Sequence, residues 1–223
     1  MPSGTKVDIW NRALDRIGET ETIEDESDDR LAAAVCGRHY DDCLVEVLED
    51  FPWPFAKGQA ELAELAGVTR AGWGHVYAVP EDFVSARAIL YGGARIGLIP
   101  ADFVSTTTST SSRSTLNGRV SYEIQSNDAG DGQILCTDVD LSDADGFEYT
   151  RRIEVVSAFP RLFVSALAFR LAAELAMAIR KDVKLADSML KGYQGDVARA
   201  FTAQLRGNQE DPEPEASSIR ARR

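Results

Sequence analysis

The first fifty residues carry apolar positions at the spacing of two α-helices. The first apolar stripe recurs at steps of three or four residues and consists of Val7, Trp10, Leu14 and Ile17. Thr5 is placed to cap this helix, and Gly18 to end it. The segment Glu19–Asp29 is acidic and contains no basic residue, which indicates a solvated loop. A second stripe from Ala33 to Val47 predicts a second amphipathic helix, with Ser27 as its expected N-cap.

The second helix is expected to end in the aromatic strip Phe51-Pro52-Trp53-Pro54-Phe55. Each proline lacks a backbone N–H and pushes the preceding residue out of the helical region. The three rings are therefore held on a stiff, extended segment. Two interpretations stay open: the rings fill the local core, or Phe51, Trp53 and Phe55 form a docking anchor for a neighbouring subunit.

From Trp73 onwards the apolar period changes from 3.6 to 2, which predicts β-strands. The expected strands are Trp73–Val79, Ala88–Tyr91, Ala94–Ile99, Val120–Ile124, Ile134–Thr137 and Phe147–Arg152. Gly92-Gly93 and Asn117-Gly118 are hairpin turn signals. The middle of the chain is therefore predicted to be antiparallel β, as a small curled sheet or open barrel. The segment Ser105–Thr115, rich in Ser and Thr, predicts a mobile loop that a partner orders.

The segment Leu162–Ile179 is apolar over almost its whole length. It is long enough to be compared with a membrane span, but Arg170 and Glu174 lie inside it and it is rich in alanine. We therefore expect a buried helix. A last amphipathic helix is predicted from an apolar row of Leu185, Met189, Tyr193, Val197, Phe201 and Leu205.

The net charge, the cysteines and the first residues each argue for or against a class of protein. The net charge of −12, with no strongly basic block in the part expected to fold, argues against tight general binding of nucleic acid. The three cysteines are scattered and odd in number, which fits a reducing compartment. The first residues lack the apolar core of a secretion signal, so the chain is expected in the cytoplasm where it is made.

Two patterns suggest metal binding and both are incomplete. Cys36, His39 and Cys43 would share one helix face, but no fourth zinc ligand follows at motif spacing, so buried core cysteines are favoured. Asp138 and Asp140 begin a pattern similar to a calcium loop. The Gly and Glu that such a loop requires are replaced by Asp143 and Tyr149, so a solvated acidic turn is favoured over loose divalent-ion binding.

Motifs of catalysis are missing from the sequence. It contains no Gly-rich phosphate loop and no Gly-x-Ser-x-Gly nucleophile elbow, and only His39 and His75 are available as imidazole bases. The expectation is a protein that is not an enzyme and that binds no cofactor and no metal. A carboxylate pair of the glycosidase kind stays open as an alternative.

Several blocks, taken in their order along the chain, carry a family resemblance. They are Asn11–Gly18, Pro52–Ala56, Trp73–Asp82, Asp131–Thr137, Phe147–Tyr149 and the apolar helix that follows Phe159-Pro160. In this order they resemble the head-to-tail adaptors of tailed bacteriophages, the family that includes podovirus tail tubular protein A.

The resemblance implies an α+β fold in which helices from both ends of the chain form one bundle with an inserted antiparallel β domain. The extended C-terminal tail is predicted from its own composition, and its charge departs from the podovirus pattern. The expected parts are residues 1–66, helical; 67–155, the β domain; 156–207, the C-terminal helices; and 208–223, the flexible tail. It also implies a ring of twelve subunits in the virion neck, assembled in the host cytoplasm. The ring would join the portal protein to a tail nozzle, stopper or tail-tube protein, and DNA would pass through without specific binding.

The C-terminal tail has two interpretations: a portal-binding arm, which is the expected contact, or a solubilising terminus that binds no partner. Its acidic and proline-rich stem is followed by the basic tip, and the predicted contact residues are Ile219, Arg220, Arg222 and Arg223. Two other functions stay open at this point: a small acidic α+β binding module, and a tail-borne polysaccharide hydrolase.

Overall fold

The computed structural model describes residues 4–101, 115–116, 119–130 and 132–209 and has an α+β fold. The chain divides into two compact units. The helical unit contains Met1–Val47 and Val155–Arg223, and the sheet unit contains Leu48–Glu154. The boundary expected at residue 66 is therefore displaced, because residues 48–66 already contribute strands to the sheet.

The helical unit is built from helices at both ends of the chain. They are α1 (Lys6–Arg16), α2 (Leu31–Asp50), α3 (Arg161–Leu175) and α4 (Val183–Gln209), with a π-helical turn at Ala176–Arg180 between the last two. The end of α2, from Leu48, is grouped with the sheet unit. An edge-to-face contact of Trp10 and Tyr40 joins α1 to α2, with ring centroids 6.4 Å apart.

The start of α1 follows the sequence prediction. The Thr5 hydroxyl accepts a hydrogen bond from the Asp8 N–H, and the Asp8 carboxylate accepts one from the Thr5 N–H, which forms a capping box. Gly18 ends the helix with a φ of 75°, a left-handed conformation that suits glycine. The prediction of Ser27 as the cap of α2 was wrong, because Ser27 donates to the Asp25 carboxylate in a local turn and α2 begins at Leu31.

Helix α3 lies between α1 and α4 and contacts both. Its buried residues point in nearly all directions around its axis, and Phe163, Leu167, Leu171 and Ala172 are completely buried. Pro160 is the N-cap, one position before the expected N1. Arg161–Arg180 is, among the residues the structure describes, the one helical segment long and apolar enough to cross a membrane. Its packing against α1 and α4 confirms the buried helix predicted from the sequence.

The sheet unit contains one curled mixed sheet. Its strands are β1 (Lys57–Ala60), β2 (Ala63–Glu64), β3 (His75–Ala78), β4 (Phe83–Tyr91), β5 (Ala94–Pro100), β6 (Thr115–Leu116), β7 (Arg119–Ser126), β8 (Gln133–Thr137) and β9 (Gly146–Arg151). They are ordered β1-β9-β4-β5-β7-β8-β3-β2, with β6 paired to β7. Strands β4 and β5 form the hairpin predicted at Gly92-Gly93. The expectation of a purely antiparallel sheet was wrong, because β5 and β7 pair in parallel.

The two ends of this strand order are consecutive in the chain. Ala60 ends β1 and Ala63 begins β2, so only Glu61 and Leu62 separate the two edge strands. A linker of two residues reaches no more than about 10 Å. The sheet must therefore curl until its edges are neighbours, which gives an open barrel.

The inside of the curl is filled by aromatic and aliphatic side chains from most strands. Its buried members are Tyr77, Ile89, Leu135, Leu141, Phe147 and Tyr149. The Tyr77 hydroxyl accepts a hydrogen bond from the Leu141 N–H at 2.7 Å, so the loop after β8 closes one side of this core. Val76 and Cys136 lie on the opposite face of β3 and β8, where Leu65, Val68 and Trp73 cover them.

Candidate functional site

The aromatic strip is part of the folded sheet unit. Phe51 and Trp53 are only 4% and 3% exposed, and their rings meet edge to face at 4.9 Å. The Trp53 carbonyl accepts a hydrogen bond at 2.8 Å from Arg87 of β4. Phe55 is half-buried and lies 6.3 Å from Trp53 between ring centroids. Of the two interpretations, the structure favours core filling for Phe51 and Trp53, whose rings a partner could reach only after local unfolding.

The predicted tail contact cannot be placed. Ile219, Arg220, Arg222 and Arg223 lie outside the described residues, and so do Asn117-Gly118 and nearly all of the Ser105–Thr115 segment. Helix α4 continues to Gln209 and so includes the first two residues of the expected tail.

A buried carboxylate holds the outer face of the sheet together. The Glu148 side chain is 4% exposed and accepts hydrogen bonds from Lys57 Nζ and Gln59 Nε2, both at 3.2 Å, and from Arg95 Nε. Burial alone would raise the pKa of Glu148, but these three donors outweigh it and hold the pKa below the usual range. Both oxygens are thus occupied by donors, and the cluster ties β1, β9 and β5 together.

Beside this carboxylate lies a half-buried arginine. Arg87 Nε donates a hydrogen bond to the Thr150 hydroxyl at 2.9 Å. Nη2 of the same guanidinium donates the hydrogen bond that the Trp53 carbonyl accepts. Burial, followed by the nearby charge of Arg95, lowers the pKa of Arg87 to about 10. The guanidinium is still charged at neutral pH. Its contacts fasten the aromatic strip to β4 and β9.

The cysteines behave as core residues. Cys36 and Cys43 are buried free thiols, and burial raises the pKa of each to about 12. Neither is a thiolate at neutral pH, and the thiolate is the form that attacks electrophiles or binds zinc. Within residues 4–101, 115–116, 119–130 and 132–209, no group of three His, Cys, Asp or Glu side chains is arranged to hold a metal ion.

The pattern similar to a calcium loop forms a tight acidic turn. Asp138 accepts a hydrogen bond from the Gly74 N–H at 3.1 Å, and Asp140 accepts one from the Ser142 N–H at 2.9 Å. Hydrogen bonding to the Ser142 N–H lowers the pKa of Asp140, and hydrogen bonding to the Ser142 side chain lowers it further. These carboxylates stabilise the loop backbone. Asp140 is exposed, whereas Asp138 is half-buried and its Oδ2 atom is buried.

A groove with an apolar floor opens beside β3 and β8. It has a volume of about 710 Å³, and Leu65, Val79, Phe83 and Ile134 form its apolar part. Asn127, Gln133 and Glu81 supply its polar groups. The residues lining the groove contain no nucleophile paired with a base, so nothing in it points to catalysis.

Several apolar side chains along α4 are exposed. We name the row that contains them the α4 stripe, and its members are Val183, Leu190, Val197, Phe201 and Leu205. Phe201 is 57% exposed and Leu205 is 48% exposed. Steps of seven, seven, four and four residues keep the stripe on one side of the helix. Ala186, Tyr193 and Ala200, which are buried, occupy a different side.

The sequence already contained the signal for this exposed stripe. The predicted apolar row from Leu185 to Leu205 advances in steps of four residues. Each such step overshoots a full turn by about 40°, so five steps rotate the row by about 200° around the helix. Tyr193 is consequently buried, while Phe201 and Leu205 face away from the buried side. The amphipathic helix predicted from this row is thus present, with the two ends of the row on different sides of it.

No family model matches the chain, and no curated protein matches it either.

Proposed function

We propose that this chain is a structural subunit of a phage head-to-tail adaptor. In the proposal, subunits form a ring, of twelve copies by the family resemblance, below the portal protein in the virion neck. A tail nozzle, stopper or tail-tube protein binds below the ring, and DNA passes through its channel. The chain performs no catalysis in this role.

The division of the chain into units is the observation that carries the proposal. Met1–Val47 and Val155–Arg223 form one helical unit, and the sheet unit is inserted between them. The adaptor family, as the sequence resemblance implies, has helices from both chain ends in one bundle and an inserted β domain. The agreement supports the resemblance, which rested on sequence blocks alone.

The acidic balance also supports a channel-forming role. The net charge is −12, and double-stranded DNA carries one negative charge per ~1.7 Å of its axis. A ring with an acidic lumen repels passing DNA and prevents it from sticking during transit. The same charge would weaken a protein whose function was to hold DNA.

Electron microscopy tests the proposal directly. Negatively stained full-length protein would be imaged alone and after mixing with its cognate portal protein. We expect rings attached to the portal. A chain that stays monomeric and does not bind the portal would contradict the proposed function.

The portal contact has its own test. We propose that the C-terminal tail is the portal-binding arm, acting through Ile219 and the three arginines of its tip. Deleting residues 210–223, which lie beyond α4, should leave the thermal melting temperature unchanged and abolish portal binding. Replacing Arg220, Arg222 and Arg223 with Gln is the matched control, and it should remove the salt dependence of binding. Unchanged affinity of the deletion variant would show that the portal is bound elsewhere.

A further inference from the structure

The connection between β2 and β3 folds back over the sheet. We name residues 65–74 the cover loop, because they leave the edge strand β2, lie on the outer face of β3 and β8, and return to begin β3. The two ends of the loop stay together. Glu64 pairs with Tyr77, and the Leu65 N–H donates to the Val76 carbonyl at 2.8 Å. A loop of this length with neighbouring ends is an Ω-loop, a class that frequently has a function of its own.

The cover loop shelters a small apolar patch, separate from the main core of the sheet. The patch consists of Val76, Ile134 and Cys136, each 3% exposed or less. Leu65, Val68 and Trp73 of the loop pack on it and are themselves half-buried. One layer of loop side chains therefore separates the patch from water.

Two tight turns give the cover loop its shape. Each turn contains a glycine in the left-handed region, with a φ of 81° at Gly67 and 86° at Gly72. The second turn is closed by the Trp73 N–H, which donates to the Arg70 carbonyl at 3.1 Å. The loop thus holds its shape through bonds within itself.

In the described part of the chain, two polar side chains tie the middle of the loop to the sheet. Arg70 Nη2 donates to Asp128 Oδ1 at 2.8 Å and to the Ser126 carbonyl at 3.4 Å. Trp73 Nε1 donates to the Glu123 carboxylate at 3.2 Å. The Asp128 side chain is 80% exposed, so water and dissolved salt compete with Arg70 for it. Both ties are therefore easily exchanged for bonds to water.

The sheltered patch adjoins the groove beside β3 and β8. Ile134 belongs to the patch and also lines the groove, and Leu65 belongs to the cover and also lines the groove. Displacing the loop would join the groove, about 710 Å³ in volume, to the surface of Val76 and Cys136. The position of the loop therefore sets the size of the groove.

We propose that the cover loop is a lid, which opens as a unit about its ends at Leu65 and Gly74 and extends the groove to Val76 and Cys136. Local opening of this kind is a property of segments with few buried contacts. The ends stay in place because the Leu65 N–H bonds to Val76 and the Gly74 N–H bonds to Asp138 at 3.1 Å. The lid goes beyond the adaptor role and does not depend on it.

The Cys136 thiol reports on the lid. It is completely buried beneath the loop, and burial raises its pKa, so a thiol reagent reacts with it only after opening. Cys36 and Cys43 are buried in α2 and report on unfolding of the helical unit. Full-length protein would be treated with a low concentration of iodoacetamide, so that labelling follows the population of the open form. Peptide mass spectrometry then measures the labelling of each cysteine.

Cys136 should be labelled about tenfold faster than Cys36 and Cys43, or more. Its rate should stay constant in urea below the unfolding transition, because opening the lid exposes little surface. Labelling of Cys136 that rises with urea in parallel with global unfolding overturns the lid. Labelling of all three cysteines at one rate overturns it too.

Lid variants show whether the cover loop is the element that opens. Arg70→Gln removes the bonds to Asp128 and Ser126, and Trp73→Ala removes the covering ring. Each should speed the labelling of Cys136 roughly threefold to tenfold, with an unchanged circular dichroism spectrum. Thr69→Ala, at an exposed position of the same loop, is the matched control and should label like wild type. Variants that label at the wild-type rate would show that Cys136 is reached by another route and overturn the lid.

Discussion

Gly192 of α4 faces the ring of Phe169 of α3 so closely that a Cβ atom on residue 192 would lie 2.5 Å from Cε1 of that ring. The ring cannot easily move away, because the guanidinium of Arg16 lies over it at 3.6 Å from the centroid. Arg16 is fixed in turn by donating to the carbonyl and the hydroxyl of Ser165, each at 3.0 Å. One glycine therefore sets how closely α3 and α4 approach each other.

Gly192→Ala should lower the free energy of unfolding. The added methyl overpacks the contact with Phe169, which costs about 1–3 kcal/mol, while the better helix propensity of alanine returns up to about 1 kcal/mol. Gly195→Ala is the matched control, because a Cβ there meets nothing within 4 Å. It should raise stability by up to about 1 kcal/mol. Urea denaturation of both variants measures the difference, and equal effects would mean that α3 and α4 are not packed as described.

Ala172→Asp should destabilise the helical unit severely. Ala172 is completely buried on α3, and a carboxylate there lacks both water and a partner, which costs more than about 3 kcal/mol. Ala178→Asp, at an exposed position near the end of the same segment, should change stability by less than about 0.5 kcal/mol. Thermal melting of the two variants should differ clearly. An unchanged melting temperature for Ala172→Asp would place α3 at the surface.

Trp53→Ala should lower the free energy of unfolding, and not only weaken a partner contact. The Trp53 ring is buried, and removing a buried aromatic side chain costs about 3–5 kcal/mol. Phe55→Ala, at a half-buried position in the same strip, should cost less. The midpoints of urea unfolding measure both losses. A Trp53→Ala variant as stable as wild type would contradict core filling and support the interpretation of Trp53 as a docking anchor.

Local patterns were predictable from the sequence where one short segment specifies the structure. The capping box of Thr5 and Asp8, the glycine stop at Gly18 and the Gly92-Gly93 hairpin all depend on neighbours within a few residues. The buried helix α3 was predictable because it is apolar all around.

Local sequence patterns are weaker predictors where strand pairing depends on distant residues. Strand β1 has the sequence Lys-Gly-Gln-Ala, without apolar alternation, and exists because its Gln59 and Lys57 bind Glu148 of β9. The parallel pairing of β5 and β7 reflects how the sheet curls, which no local pattern encodes. Among the site residues, Phe51 and Trp53 were recognised as important, but their burial could not be separated from docking until the contact with Arg87 was known.

The stability of the sheet unit should depend on pH through Glu148. Its folded pKa lies below the unfolded value, so its contribution is fully present above the usual glutamate pKa and is lost as pH falls through the folded pKa. In the Glu148→Gln variant, the free energy of unfolding should therefore fall less steeply as the pH is lowered from roughly 5 to 3. Urea midpoints measured across this range test the effect. Glu154→Gln, at an exposed position, is the control and should follow the wild-type curve.

The insertion of the sheet unit between two halves of the helical unit has a consequence for synthesis. Arg16 binds Ser165, which lies 149 residues later, so α1 and α2 cannot complete their packing until α3 has left the ribosome. At 5–20 residues per second, the intervening sheet segment takes roughly 5–20 s to be made. During that time the apolar faces of α1 and α2 are exposed on the nascent chain, whereas the sheet unit has all its strands before α3 emerges. The helices made after the sheet unit thus shelter those made before it.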